Sequence, residues 1–180
     1  MSNLTDFFPS GGGGGLTPKF EEFNASGTFT PSQALIDAGG YIDIFLVGGG
    51  AYRTSGNPLA GEVIPFKKMY LTSTNPISVT IGAGGPGSNT NGTASVFSGS
   101  AAGGIDVTAK GGLANQDGVI DMFNAGWRGS TSIAPGPGIL GYGAGGATSQ
   151  QGILQAKANS GQASMQSPGG SGYCLIKWVE

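Results

Sequence analysis

The chain has 180 residues, of which 37 are glycine, and its 8 basic and 10 acidic side chains give a net charge of −2. Glycine at about three times its average frequency of about 7% weakens a fold, because each ordered glycine costs about 0.5–1 kcal/mol more backbone entropy than alanine, so we expect an oligomer. The longest basic run is Lys67-Lys68, which gives no charge pattern for nucleic acid or an anionic membrane surface.

The first element is an N-terminal peptide, residues 1–15, in which "MSNLTDFFPS" is followed by five glycines. It lacks the basic start and long apolar region of a secretory signal. Leu4, Phe7 and Phe8 form an apolar anchor on a flexible glycine tether, and we expect this peptide to dock on a partner. The longest apolar run, "IFLV", is too short to span a bilayer, so no membrane insertion is expected.

Residues 16–180 are predicted to form one β-rich domain. The period is two in "PISVTIG", where Ile77, Val79 and Ile81 share a face, and in "IDVTAK". Strands are also predicted in "YIDIFLV", "GEVIPFKKMYL", "TASVF" and "GYCLIKWV", with Pro65 at an edge or a bulge. Two short helices are predicted, at 31–38 and 115–124. Glycine-rich spacers between the strands are interpreted as loops and turns of a single architecture.

The sequence contains few of the motifs that are typical of enzymes. "GAGGPG" and "GPGILG" satisfy G-x-G-x-x-G, but no helix follows either one to hold a pyrophosphate. The chain has no histidine for a serine triad or a metal, and its single cysteine, Cys174, lies in an apolar run. Asp106, Asp117 and Asp121 are the candidates for a pair of catalytic carboxylates, although acids beside turn glycines usually cap amides or face water. We predict no enzyme activity, cofactor or metal.

The order of motifs resembles the glycine-rich domain of tailed-bacteriophage tail fibres and related virion proteins. The stretches "TFTPS", "IDIFLVGGGA", "GEVIPF", "ISVTIGAGG", "ASVFSG", "IDVTAKGGLA" and "GGSGYCLIKWVE" follow one another as in that family, over residues 26–180. "PSQALIDAGG" replaces the family's usual turn before the first long strand, and "WRGSTSIAPGPGILGYG" interrupts the glycine runs of the second half.

The resemblance implies an all-β, β-sandwich-like fold with long glycine-rich loops. It also implies a homotrimer in the tail or another external part of a virion, made in the cytoplasm of a host bacterium. Some adhesins of this type pack glycine runs as extended polyglycine helices. Only "GGGGG" at 11–15 is long enough here to suggest such packing.

Two functions remain open. The first is a receptor-binding module whose loops touch a host surface glycan or outer-membrane protein, since rigid aromatic rings on loops stack well on sugars. Its candidate contact residues are Tyr52, Arg53, Trp127, Arg128 and Tyr142. The second is a purely structural baseplate, collar or capsid-fibre component, attached to other virion proteins through Leu4, Phe7 and Phe8. For Trp127 and Tyr142 the alternative to a receptor contact is that they pack against the glycine loops.

Overall fold

The structure, a computed structural model, describes residues 15–54, 58–103, 106–114, 142–143, 156–164 and 167–180. Its regular elements in the described residues are eight strands, one α-helix and a 3-10 turn at 100–102. In chain order they are β1 (Pro18–Phe23), β2 (Gly27–Phe29), α1 (Gln33–Asp37), β3 (Tyr41–Val47), β4 (Val63–Tyr70), β5 (Ile77–Thr80), β6 (Ser95–Ser98), β7 (Val107–Ala109) and β8 (Tyr173–Val179).

The strands form two antiparallel sheets, which confirms the all-β prediction. The first sheet has the order β1-β8-β3-β4 and the second has the order β2-β5-β6-β7. Both contribute to one hydrophobic core, in which Ile42, Ile44 and Ile176 of the first sheet join Val79 and Phe97 of the second. The core forms because each strand alternates apolar and polar side chains, as the buried and exposed residues of β5 do.

Two local predictions are also confirmed. β4 lies at an edge of the first sheet, and its register against β3 shifts next to Pro65, where Phe66 has a φ of 47°. A proline is tolerated at such a bulged edge because no ladder hydrogen bond is required of its nitrogen. The helix predicted at 31–38 is α1, whose first turn is capped by the Ser32 hydroxyl accepting from the Leu35 amide at 3.0 Å. The second predicted helix, at 115–124, lies outside the described residues.

The glycine-rich spacers are where the sequence interpretation was wrong. Gly48, Gly49 and Gly50 are not a turn: their three amides donate to carbonyls of three separate segments, at Glu62, Thr93 and Gly170, over 2.8–2.9 Å. The segment 48–53 therefore continues β3 as an extended chain that hydrogen-bonds sideways to its neighbours. The run at 11–15 was expected to be the only one suited to such packing, yet these shorter and interrupted runs provide it.

Six segments surround the central segment 48–53, and we call the whole assembly the glycine bundle. Along the central segment, amides three residues apart donate to the same neighbouring segment. The amides of 48 and 51 donate to 58–62, and those of 49 and 52 donate to 90–93. Three residues per turn is the period of a polyproline II helix, which has no internal hydrogen bonds and so must bond outward. The carbonyls of 49, 50 and 51 accept from three further neighbours. In order around the centre, the neighbours are 58–62, 110–114, 90–93, 82–85, 169–172 and 160–164.

The ring around the centre is closed by hydrogen bonds between each pair of adjacent segments. The Leu59 amide donates to Leu113 at 3.0 Å, for example, and the Gly61 amide donates to Gly161 at 2.9 Å. Side chains would keep these backbones apart, which is why glycine is needed. A Cβ placed on Gly49 would lie 2.0 Å from the carbonyl oxygen of Ala83. The bundle is thus held by main-chain bonds at a separation that an ordinary side chain forbids.

Ser95 joins the bundle to the sheets. Its fully buried hydroxyl, at the start of β6, donates to the Val47 carbonyl at 2.6 Å and accepts from the Gly82 amide at 2.9 Å. The Ser95 side chain therefore forms hydrogen bonds with a carbonyl at the end of β3 and with an amide just beyond β5. Both groups lie where these strands continue into the bundle.

Candidate functional sites

The glycine bundle has a defined direction. β3, β5 and β7 lead out of the sheets into 48–53, 82–85 and 110–114, whereas 58–62 and 90–93 lead back into β4 and β6. The chain therefore reverses between 53 and 58, and between 85 and 90, at the end of the bundle remote from the sheets. We call this the remote end.

Tyr52 and Arg53, two of the predicted contact residues, lie at the remote end and are both half-buried. The Tyr52 amide donates to Thr90 at 3.0 Å and the Arg53 amide donates to Ser164 at 3.0 Å. Next to them, the hydroxyls of Thr54 and Ser88 lie 3.0 Å apart, so two of the chain reversals touch each other there. The remote end thus gathers side chains from distant parts of the sequence.

Tyr142 lies elsewhere, against the first sheet. Its ring stacks on Tyr173 of β8 with centroids 5.2 Å apart and an interplanar angle of 20°, and it meets Phe45 edge-on at 5.0 Å. The structure therefore does not bring Tyr142 together with Tyr52 and Arg53. Of the other predicted residues, Asp106 is described and exposed, whereas Trp127, Arg128, Asp117, Asp121, Leu4, Phe7 and Phe8 lie outside the described residues.

A groove opens beside Tyr142, and we call it the junction groove because it lies where the first sheet meets the bundle. It is lined by Glu22, Asn24, Tyr142, Tyr173 and the segment 157–160, and it encloses about 340 Å³. The Tyr173 side chain lies beside the Glu22 carboxylate and the Tyr142 ring. Burial first, and the Glu22 carboxylate second, raise the pKa of Tyr173, so this phenol remains a hydrogen-bond donor at neutral pH.

Sequence reasoning missed a second surface, the outer face of the first sheet. Large hydrophobic side chains lie in water there: Phe20 is 68% exposed, Tyr41 65% and Tyr70 56%, and Phe66 and Val179 are also exposed. Tyr41 and Tyr70 are register partners whose rings lie 5.3 Å apart. We call this surface the aromatic face. Aromatic patches of this kind are typical of protein interfaces.

Charged side chains occupy the middle of the aromatic face. Asp43 of β3 has Lys177 and Lys68 as its register partners on the two neighbouring strands. The Lys177 ammonium lies 5.0 Å from the centroid of the Phe66 ring, which stabilises it there through a cation–π contact. The face therefore offers aromatic rings together with charges of both signs.

Two of the chemistries considered from the sequence can be compared with the geometry. The amides of Gly48, Gly49 and Gly50 all donate to protein carbonyls, so this glycine run offers none of them to a phosphate group. Cys174 is fully buried in the core, and burial raises the pKa of its thiol to about 12. Within the described residues, no group of acidic, histidine or cysteine side chains is arranged to hold a metal ion.

Comparisons with known proteins give no family: no family model matches the chain, no curated protein matches it, and no solved structure matches it. Among the described residues there is also no helix of the length and apolarity needed to cross a membrane. Function must therefore be argued from the bundle, the groove and the face.

Proposed function

We propose that this chain is a structural protein of a phage virion, a tail-fibre or tail-tip component that presents its glycine-rich loops to the host surface. The proposal is supported by the motif order of residues 26–180 and, in the structure, by one observation above all. Chain reversals gather at the remote end of a bundle whose own stability comes from main-chain bonds. A bundle held in this way can serve as a rigid support for the surface residues at its remote end.

Binding at the remote end would involve Tyr52 and Arg53, with Trp127 and Arg128 as further candidates from the sequence. Residues on loops that a rigid scaffold positions are well suited to recognition, because the scaffold limits the entropy lost on binding. The partner would be a glycan or an outer-membrane protein of the host bacterium. At its other end, the chain would attach to a neighbouring virion protein through Leu4, Phe7 and Phe8.

A second candidate function is favoured by the aromatic face. In this reading the protein is a baseplate, collar or capsid-fibre component that only holds subunits together. An exposed sheet face with Phe20, Tyr41 and Tyr70 must be covered in an assembly, because large exposed apolar patches mark interaction sites. We propose that the other two copies of a homotrimer cover it, with the face turned toward the threefold axis, since Asp43 of one copy can pair with Lys68 or Lys177 of the next.

A competition assay, in which purified chain and phage compete for receptors on host cells, distinguishes the two proposed functions. Purified chain is added in excess to host cells before the phage, and the rate of phage adsorption is measured. A receptor-binding protein occupies the receptors and slows adsorption, whereas a purely structural protein leaves it unchanged. The matched variant R53A/W127A should fail to compete while keeping the wild-type melting temperature. Absence of competition by the wild-type chain would refute the receptor-binding proposal and favour the structural one.

A further inference from the structure

We propose that the junction groove binds a neutral saccharide ring. This inference rests on the proposed function, because it names a chemical class of host ligand, but it places the contact beside the first sheet and not at the remote end. Its residues come from four separate parts of the chain: Glu22 and Asn24 lie at the end of β1 and just beyond it, Tyr142 and Lys157 belong to two later segments, and Tyr173 begins β8.

The size of the groove suits a single sugar ring. About 340 Å³ lies at the lower end of the range of about 300–1,000 Å³ for small-molecule sites. The walls differ from those of an ordinary apolar pocket, because most lining side chains carry a hydroxyl, an amide or a charge. A ligand that fills this space must therefore present polar groups in several directions, as a polyol does.

Charge selects a neutral ligand over a charged one. Glu22 and Lys157, both exposed, are the acidic and basic side chains that line the groove, so their formal charges cancel. An anionic sugar would be attracted by Lys157 and repelled by Glu22. A cationic sugar would be attracted by Glu22 and repelled by Lys157. A neutral ring with adjacent hydroxyls can donate to the carboxylate and accept from the ammonium at once, and hydrogen bonds to charged groups are stronger than neutral ones.

The remaining groups are preorganised. The Tyr142 and Tyr173 rings are fixed by their mutual stacking and by their edge contacts with Phe45, which sets the direction of the Tyr173 hydroxyl. Asn159 is held as well, since its side-chain oxygen accepts from the Ser171 hydroxyl at 2.8 Å. Fixed donors and acceptors lose little entropy when a ligand arrives. Half-buried Tyr142 leaves part of an aromatic ring for the apolar C–H groups of a sugar.

The test uses full-length protein and saturation-transfer NMR with four probes: methyl α-glucoside and N-acetylglucosamine as neutral sugars, N-acetylneuraminic acid as an anion and glucosamine as a cation. We expect a neutral sugar to bind with a Kd of about 1–10 mM, as ligands of roughly 13 heavy atoms do at ordinary efficiency. The variants E22A and N24A should each weaken that binding, E22A by at least about tenfold because it removes a charged acceptor.

The matched control is E21A. Glu21 precedes Glu22 on the same strand, and its register partner, Ile176, belongs to the core, so its side chain is on the opposite side of the sheet from the groove. E21A should bind the sugar within about twofold of wild type. Equal effects of E21A and E22A, preference for a charged sugar, or no saturation of any neutral sugar would each overturn the proposal.

The result is independent of the host competition assay. Sugar binding without competition would leave this inference standing and refute the receptor-binding function, and competition without sugar binding would do the opposite.

Discussion

Replacing Gly49 by alanine tests whether main-chain contact holds the bundle together. Gly49 lies in the central segment beside segment 82–85. That segment is bonded to the centre by the Gly85 amide, which donates to the Gly50 carbonyl at 2.8 Å, and to 90–93 by the Thr93 amide, which donates to the Ala83 carbonyl at 2.9 Å. A Cβ at this position would lie 2.0 Å from the Ala83 carbonyl oxygen. Because real Cβ atoms do not approach closer than 3.0 Å, the segments must separate by about 1 Å.

That separation sets the size of the effect. Hydrogen bonds of 2.8–2.9 Å stretched by about 1 Å exceed the normal limit of about 3.2 Å. Two main-chain bonds in a buried setting would be lost, at about 1–3 kcal/mol each when the partners stay unsatisfied. Overpacking strain adds about 1–3 kcal/mol. We therefore expect Gly49→Ala to lower the free energy of unfolding by roughly 3–9 kcal/mol, enough to unfold a marginally stable domain.

Urea unfolding followed by tryptophan fluorescence, together with the melting temperature, measures this loss. Gly87→Ala is the matched control, since a Cβ there would find only a side-chain carbon of Thr90, 4.0 Å away. The control should stay within about 1 kcal/mol of wild type. If Gly49→Ala were as stable as Gly87→Ala, the close packing of the central segment against its neighbours would be refuted.

Two further predictions concern the face and the link between sheets and bundle. Y41S/Y70S should leave the melting temperature of the isolated subunit unchanged, because both rings are exposed, yet shift sedimentation from trimer to monomer; a trimer that persists would exclude this face as the interface. Ser95→Ala should cost about 2–4 kcal/mol in urea unfolding, because the Val47 carbonyl and the Gly82 amide both lose their side-chain partner, and a loss below about 0.5 kcal/mol would contradict that.

Alternation was a good guide to the strands of the core. Ile77 and Val79 are buried while Ser78 and Thr80 are exposed, as the period of two predicts. β1 was not predicted, and its composition explains why. In "PKFEEF" Phe23 alone is fully buried, so an edge strand with one apolar anchor carries no clear pattern. Its pairing with β8 is a long-range contact that local sequence does not encode.

The bundle could not be predicted from side-chain periodicity, because glycine has no side chain to carry a pattern. Its bonds also join residues far apart in the chain, such as Gly50 with Gly170 and Gly61 with Gly161. A usable signal was nevertheless present. Short glycine runs directly follow β3 and directly precede β8, which indicates segments that continue the strands and not turns that end them.

The sequence predicts which residues of β3 point toward the aromatic face, but not which of them are exposed. The period of two along β3 places Tyr41, Asp43 and Phe45 on the side opposite Ile42. Whether that side was covered depended on what lay beside β3 and above it. In the structure Phe45 is buried under Tyr142 and Tyr173, whereas Tyr41 is exposed. One strand face thus divides into a covered half and an open half, which no period along a single strand can predict.

The two parts of the fold are stabilised by different forces, and this bears on where sequence change can be tolerated. The sheets depend on side-chain packing, so substitutions in the core would create cavities or strain. The bundle depends on main-chain bonds, which require glycine only where a Cβ would meet a neighbouring backbone, as at Gly49. Residues at the remote end, such as Thr54 and Ser88, lie beyond those bonds. We therefore expect substitutions there, such as Thr54→Ala and Ser88→Ala, to change surface chemistry while leaving the unfolding free energy within about 0.5 kcal/mol of wild type in urea unfolding.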